Sequence, residues 1–150
     1  MLIGLRTLLS NCQAALHRRL ATGLGWIRAS FLGVQLGHNA RVSRRANIRG
    51  ARFLGNVQIG NAVTIGEGTY INSGIVWCGI IGKYCSIGYN VLIGPTEHRL
   101  DYWTMSPFEA KDHGERPEDT NRDIPTPVIE DGARISARVI VLRGVRIGCT

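Results

Sequence analysis

IGKYCSIGYNVLIG, at residues 81–94, is the stretch that decides the fold. Isoleucine stands at every sixth position in it, and each isoleucine is followed by glycine. Outward from this stretch, an aliphatic or aromatic residue returns at the same spacing with few interruptions. The full series is Leu36, Val42, Ile48, Phe53, Ile59, Ile65, Ile71, Ile81, Ile87, Ile93, Ile129, Ile135, Val141 and Ile147. The chain therefore contains a hexapeptide repeat.

A six-residue period predicts short strands joined by turns. Three hexads close a triangular coil whose aliphatic residues point to the axis. Stacking of several coils buries these side chains, which a single coil would leave exposed. We therefore predict an all-β parallel β-helix over residues 34–150. We expect the glycine after each aliphatic residue to supply the backbone angles of a tight corner. The steps from Ile48 to Phe53 and from Ile71 to Ile81 are short, which predicts bulges or tightened corners there.

The repeat is interrupted between Ile93 and Ile129 by a charged, aperiodic insertion, which we assign as a loop over residues 95–127. So long a segment without a repeat in a compact domain is usually functional or disordered. Its first part contains His98, Asp101, Trp103 and Phe108, whereas residues 109–127 are mostly polar and are predicted to form an extruded loop.

Residues 1–30 are predicted to form an N-terminal amphipathic helix. Its apolar residues recur at steps of three or four, at Leu5, Leu9, Cys12, Leu16, Leu20, Leu24 and Ile27. Arginines interrupt the apolar run before it is long enough to span a bilayer. Two interpretations stay open: the helix lies in a membrane interface, or it packs across the end of the β-helix and shields it.

Charge is concentrated in the first part of the chain. The net charge is +7, and the first 66 residues contain nine arginines and no acidic residue, since Glu67 is the first carboxylate. Such a surface attracts lipid head groups, nucleic acid or a phosphate-bearing cofactor, or it is simply solvated. No nucleic-acid recognition motif accompanies the charge, so we expect no nucleic-acid partner.

The four cysteines, Cys12, Cys78, Cys85 and Cys149, form no C-x-x-C pair and follow no secretory signal. This pattern argues against a disulfide framework and a zinc site, and it favours a reducing cytoplasm, with membrane association left open. Cys85 stands at an apolar position of the repeat, which predicts a small buried hydrophobic side chain.

The repeat, with an excursion that begins at a histidine, resembles the hexapeptide-repeat acyltransferase superfamily. The branch it resembles contains xenobiotic and surface-polysaccharide O-acetyltransferases. The match is carried by residues 81–94 and by EHRLDYWTMSPF at 97–108, and it covers about residues 36–150. The resemblance implies a left-handed β-helix, a homotrimer, and transfer of an acetyl group from acetyl-CoA to a hydroxyl or amine of a sugar or xenobiotic acceptor, without a metal.

The resemblance also assigns roles to individual residues. His98 would be the general base for direct attack on the thioester. Asp101 or a backbone carbonyl would orient its imidazole, while Trp103 and Phe108 would wall the acceptor pocket or else anchor the loop on the β-helix surface. Ala137 would lie against the pantetheine of CoA in a groove between subunits.

Arginines near Ala137 are candidates for the CoA phosphates, at Arg134, Arg138, Arg143 and Arg146. Family members usually have tryptophan at the place of Arg134 and glycine at the place of Ser136, which implies an altered groove. The sequence stops inside a hexad, so we expect that the family's C-terminal coils are missing.

Two alternatives stay open. A zinc enzyme resembling the γ-class carbonic anhydrases needs three converging histidines, and the chain supplies His17, His38, His98 and His113. The other alternative is a trimeric β-helix scaffold without catalytic activity.

Overall fold

The computed structural model describes residues 23–98, 104–114 and 123–149. Every strand in this part of the chain pairs in parallel with its neighbours. The predicted all-β parallel β-helix is thereby confirmed. The elements are α1 (residues 23–31), β1 (Gln35–Leu36), β2 (Arg41–Val42), β3 (Phe53–Ile65), β4 (Tyr70–Ile81), β5 (Ser86–Ile87), β6 (Val91–Ile93), α2 (Pro107–Asp112), β7 (Val128–Ile129), β8 (Arg134–Ile135), β9 (Ile140–Val141) and β10 (Arg146–Ile147).

Strand register divides the solenoid into coils and sides. Successive coils begin at Gln35, Phe53, Tyr70, Ser86 and Arg134, and we number them in that order. The aliphatic residues stack in one column on each of three sides. Side 1 carries Leu36, Leu54, Ile71, Ile87 and Ile135; side 2 carries Val42, Ile59, Val76, Ile93 and Val141; side 3 carries Ile48, Ile65, Ile81, Ile129 and Ile147.

The assignment of Phe53 to the axial column was wrong. Leu54 pairs with both Leu36 and Ile71 and is fully buried, whereas Phe53 is only half-buried. Adjacent residues of a strand point to opposite faces, so Phe53 cannot share this column. The step from Ile48 to the next axial residue is therefore a regular six.

The shortening between Ile71 and Ile81 is confirmed, and it consists of two five-residue sides that meet at Val76. Gly74 and Gly79, each two residues before an axial residue, have φ values of 131° and 148°. A Cβ atom at Gly74 would lie 2.1 Å from the carbonyl oxygen of Val91 in the next coil. Glycine is therefore required where the coil is shortest.

Glycines after the aliphatic residues have a different role from the predicted one. In the described chain, only Gly94 among them has a positive φ. The others accommodate the next coil: a Cβ atom would lie 2.2 Å from the Trp77 carbonyl oxygen at Gly60, and 2.7 Å from the Ala137 nitrogen at Gly88. Close stacking, and not corner angles, therefore selects glycine at this place of the repeat.

Helix α1 packs across the open end of the first coil. Ala29 is fully buried, and a Cβ atom at Gly25 would lie 2.2 Å from the Val42 carbonyl oxygen. The Trp26 indole donates to the Ala40 carbonyl (3.0 Å). For residues 23–31 the structure supports the interpretation of a helix that shields the end of the solenoid, while residues 1–22 lie outside the described part.

The apolar series of the predicted helix does not form the contact with the coil. Leu24 and Ile27, which belong to that series, are exposed, whereas Gly25 and Ala29 face the coil. Small residues on that face let the helix backbone approach the coil closely. Among the described residues, neither helix combines the length and the hydropathy needed to cross a bilayer.

Cys85 is fully buried, as predicted, and its Sγ lies 3.0 Å from the Glu130 carbonyl oxygen. Its backbone N–H donates to Thr69 Oγ1 (2.9 Å), and the Thr69 hydroxyl donates to the Gly82 carbonyl (2.7 Å). This buried threonine thus has both of its hydrogen-bonding roles satisfied, which allows a polar residue in the core.

The reassignment of the axial column can be tested by mutation. Leu54→Ala removes a fully buried side chain between Leu36 and Ile71, so we expect the free energy of unfolding to fall by about 3 kcal/mol. Phe53→Ala, the neighbouring control, removes a half-buried ring and should cost about 1 kcal/mol. Denaturant unfolding of both variants measures the difference. A larger loss for Phe53→Ala would contradict the assignment.

Candidate functional site

The insertion leaves the β-helix at a rigid point, directly after β6. The Gly94 N–H donates to the Val141 carbonyl of the next coil (2.8 Å), and the Cys78 thiol of the preceding coil donates to the Gly94 carbonyl (3.5 Å). Gly94 has a φ of 61°, and a Cβ atom there would lie 2.4 Å from the Cys78 carbonyl oxygen. Both the backbone angle and the lack of space therefore require glycine.

The returning limb is bonded to the same corner, between sides 2 and 3. The Gly144 N–H donates to the Pro125 carbonyl (2.7 Å), and the Ile80 N–H donates to the Pro127 carbonyl (2.9 Å). Arg143 also donates to the Ile124 carbonyl (3.3 Å). With both ends held by backbone hydrogen bonds, the insertion has a fixed root.

The insertion contains a helix that we did not predict, α2. The prediction of an extruded polar loop over residues 109–127 is therefore corrected for the part that belongs to α2. Ser106 caps this helix, since its hydroxyl accepts a hydrogen bond from the Glu109 N–H (3.4 Å). The sequence signal was present: serine followed three residues later by glutamate, with proline between them, is a helix-start pattern.

His98 follows the root of the insertion by four residues, and its side chain is exposed. Asp101 and Trp103, its predicted neighbours in the acceptor site, lie outside the described residues. Phe108 lies in α2 and is 79% exposed. This exposure is at odds with the interpretation in which Phe108 anchors the loop on the β-helix surface.

Trp77 belongs to this corner and was missed in the sequence. Because Val76, Ile93 and Val141 are in register, the residues after them stack too, so Trp77 and Leu142 flank Gly94. Both side chains are exposed. Trp77 was overlooked because Val76 was not recognised as an axial residue. Once Val76 is assigned to the axial column, Trp77 occupies the position after an axial residue, which is usually glycine in this repeat.

Cys78 and Arg143 lie beneath the root of the insertion. Burial raises the pKa of the Cys78 thiol, and the nearby Arg143 guanidinium opposes this with a smaller lowering effect. The thiol is therefore neutral near pH 7, which makes it a poor nucleophile. The buried Nε of Arg143 has no hydrogen-bond partner among the described residues.

Ala137, the predicted CoA contact, lies in the turn between β8 and β9 and is exposed. The next residue, Arg138, adopts a left-handed conformation with a φ of 62°, and its N–H donates to the Tyr89 carbonyl (2.8 Å). This turn lies directly over Gly88 of the preceding coil. Ala137 is thus a small and exposed residue in the turn between β8 and β9.

The four arginines proposed for the CoA phosphates differ in their surroundings. Arg146 forms an ion pair with Glu130 (2.5 Å), and Arg143 is partly buried at the root of the insertion. Arg134 and Arg138 are exposed near Ala137. Only these two are therefore placed to meet an anion at the Ala137 turn.

One chain does not bring His98 and Ala137 together. Ala137 precedes β9, whereas His98 follows β6, and these two strands pair in parallel on side 2. The two residues therefore lie at opposite ends of the same side.

Metal-ligating residues are dispersed. Within residues 23–98, 104–114 and 123–149, no group of three His, Cys, Asp or Glu side chains could hold a metal ion. His38 lies in a turn of the first coil, while His98 extends from the fourth, and His17 lies outside the described residues.

The root of the insertion is testable through Gly94. In Gly94→Ala, a methyl group would contact the Cys78 carbonyl from a left-handed backbone, so we expect the free energy of unfolding to fall by about 3 kcal/mol. Gly114→Ala is the matched control: its φ is 81°, but no described atom lies within 4 Å, so the loss should be about 1 kcal/mol. Thermal unfolding measures both, and equal losses would contradict the role of close packing at the root.

Comparison of the chain with family models, with curated proteins and with solved structures returns no match. What the chain shares with hexapeptide-repeat proteins is therefore the repeat and a parallel β-helix compatible with that fold.

Proposed function

We propose that the chain is part of a left-handed β-helix acyltransferase that moves an acetyl group from acetyl-CoA to a hydroxyl or amine of a sugar or xenobiotic. The observation that carries the proposal is the insertion with its fixed root at one corner of the β-helix, which presents an exposed histidine four residues later. A general base on a rigid support is the main requirement of this chemistry.

In the proposed reaction, His98 takes the proton from the acceptor hydroxyl as its oxygen attacks the carbonyl carbon of the thioester. The C–O bond forms, the C–S bond breaks, and the imidazolium returns its proton to the CoA thiolate. Imidazole is suited to both steps because its pKa lies near neutral pH in its ordinary state. The thioester is already activated, so no metal is required.

Direct transfer is favoured over an acetyl-enzyme intermediate. Cys78 is the cysteine nearest the root of the insertion in the described chain, and burial keeps its thiol neutral. Its hydrogen bond to the Gly94 carbonyl also orients it into the backbone of the root. A thiol in this environment is a packing group and not an acceptor of acetyl groups.

The donor side of the site is proposed at the Ala137 turn. The residue there is small and exposed, so pantetheine can approach the main chain closely. Arg134 and Arg138 are exposed beside it and supply positive charge for the phosphates. The chemistry of this edge therefore fits an extended anionic substrate.

The acceptor side is proposed at the corner that carries the insertion. Trp77 and Leu142 flank Gly94 and expose apolar surface beside the root of the insertion. An aromatic ring at such a place can stack on the apolar face of a sugar ring or of an aromatic xenobiotic. Phe108 adds a further exposed aromatic ring from α2.

A homotrimer is proposed because it completes the site. Side 2 carries an outward column formed by Ile75, Leu92 and Ile140, of which Ile140 is the most exposed. The same outward column is polar in the earlier coils, with Gln58 and Arg41. An apolar patch limited to the later coils suits contact with another copy, whose Ala137 turn would face His98.

The catalytic role of His98 is tested by thiol release from acetyl-CoA with a panel of hydroxyl and amine acceptors. We expect His98→Ala to lower kcat/KM by about 10²- to 10⁴-fold, because proton removal is lost, with little change in acetyl-CoA binding. His38→Ala, three coils away, should leave the rate unchanged.

Equal rates for His98→Ala and the wild type would contradict the mechanism. A wild-type chain that assembles but neither binds acetyl-CoA nor releases thiol would support the alternative of a non-catalytic scaffold.

The proposed interface is tested through Ile140. Ile140→Asp places a carboxylate in an apolar contact, where its desolvation opposes association, so we expect a trimer to become a monomer. Gln58→Asp is the matched control, since it lies in the same outward column but three coils earlier, on the polar part of side 2. Sedimentation velocity measures both, and a trimer that persists in Ile140→Asp would exclude this interface.

A further inference from the structure

The outward face of α1 carries an apolar stripe with no packing role in the β-helix. Leu24, Ile27 and Phe31 are 47%, 56% and 87% exposed. Steps of three and four residues place them on one side of the helix. The most exposed of them is a full aromatic ring, whose exposure to water is unfavourable unless something covers it.

Two other residues of α1, Trp26 and Arg28, fix the stripe in place through hydrogen bonds to the first coil. Trp26 donates to the Ala40 carbonyl, and Arg28 donates to the carbonyls of Arg44 (2.8 Å) and Ala46 (2.7 Å). Two separate turns of the first coil therefore hold the helix. The stripe cannot turn inward without breaking these bonds.

Exposed arginines surround the same end of the molecule. Arg28 brings α1 beside the turn that contains Arg44 and Arg45, both of which are exposed. No carboxylate occurs in the described chain before Glu67, so none neutralises this charge from within the first coil. The exposed arginines of the first coil are Arg41, Arg44, Arg45, Arg49 and Arg52.

We propose that this end of the β-helix docks on an anionic phospholipid surface, with the stripe of Leu24, Ile27 and Phe31 in the acyl boundary and the arginines at the head groups. An apolar stripe beside a basic surface is the combination by which interfacial helices bind membranes. Cationic side chains near the surface add electrostatic attraction to anionic lipids. The docking is independent of acetyl transfer.

Nucleic acid fits these observations less well. A phosphate backbone would engage the arginines, but it offers nothing to cover Phe31 or Ile27. A bilayer surface can engage both the arginines and the apolar stripe, because its head groups are anionic and its acyl boundary is apolar. Residues 1–22, which precede the described helix in the sequence, contain six leucines, three arginines and no acidic residue.

The experiment is co-sedimentation of the 150-residue chain with vesicles of phosphatidylcholine alone or mixed with phosphatidylglycerol. We expect binding to the mixed vesicles only, weakened by salt. Leu24→Ser/Ile27→Ser/Phe31→Ser should weaken binding by roughly tenfold or more. Arg44→Gln/Arg45→Gln should weaken it by about 25-fold, since each cation near the surface contributes about fivefold.

Matched controls are available at the other end of the described solenoid. Tyr89→Ser removes an exposed aromatic ring, and Arg134→Gln/Arg138→Gln removes two exposed charges, and neither should change vesicle binding. All altered side chains of the test variants are exposed, so their unfolding midpoints should stay near that of the wild type. If the triple variant unfolds early, Phe31→Ser alone provides the test.

Three results would overturn the proposal. They are equal binding to neutral and anionic vesicles, a stripe variant that sediments like the wild type, and binding to duplex DNA in the same salt range without binding to phosphatidylglycerol vesicles. The last of these would assign the basic end to nucleic acid.

Discussion

Parallel stacking of the coils is the constraint on which the rest of the structure depends. Strands of neighbouring coils are held about 4.8 Å apart by backbone hydrogen bonds, so each side chain directly contacts its equivalents in the coils before and after. In the three axial columns this contact is stabilising, because aliphatic side chains pack on one another. At Gly60 and Gly88, where the next backbone passes over the residue, even a Cβ atom does not fit. Residue choice in the repeat follows from this single spacing.

The same constraint explains how much of the fold could be predicted from the sequence. The six-residue period was sufficient for a parallel β-helix and for the position of the insertion after Ile93. It was not sufficient to decide which residue of the second coil lies in the axial column, because Phe53 and Leu54 are both apolar and adjacent. Only the partners Leu36 and Ile71 in neighbouring coils decide between them. The register of a strand is defined by its partners in the coils before and after it, so it cannot be determined from one segment of the chain alone.

The candidate site shows where sequence reasoning reaches its limit. The role of His98 was predicted from the resemblance to hexapeptide-repeat acyltransferases, and α2 could have been found from Ser106 and Glu109. By contrast, the flanking position of Trp77 depends on the shortened side that ends at Val76. The separation of His98 and Ala137 depends on which corner each turn occupies. Both are consequences of how many residues each side contains, which the period alone left undetermined.

The orientation of α1 follows from the same stacking requirement at the end of the solenoid. The first coil presents backbone carbonyls to the helix that covers it, among them those of Ala40 and Ala46. A helix can approach such a surface closely only through its own small residues, so Gly25 and Ala29 face inward. Leu24, Ile27 and Phe31 then face outward. Shielding the end of the β-helix and presenting an apolar stripe to the surroundings are thus two results of one packing choice.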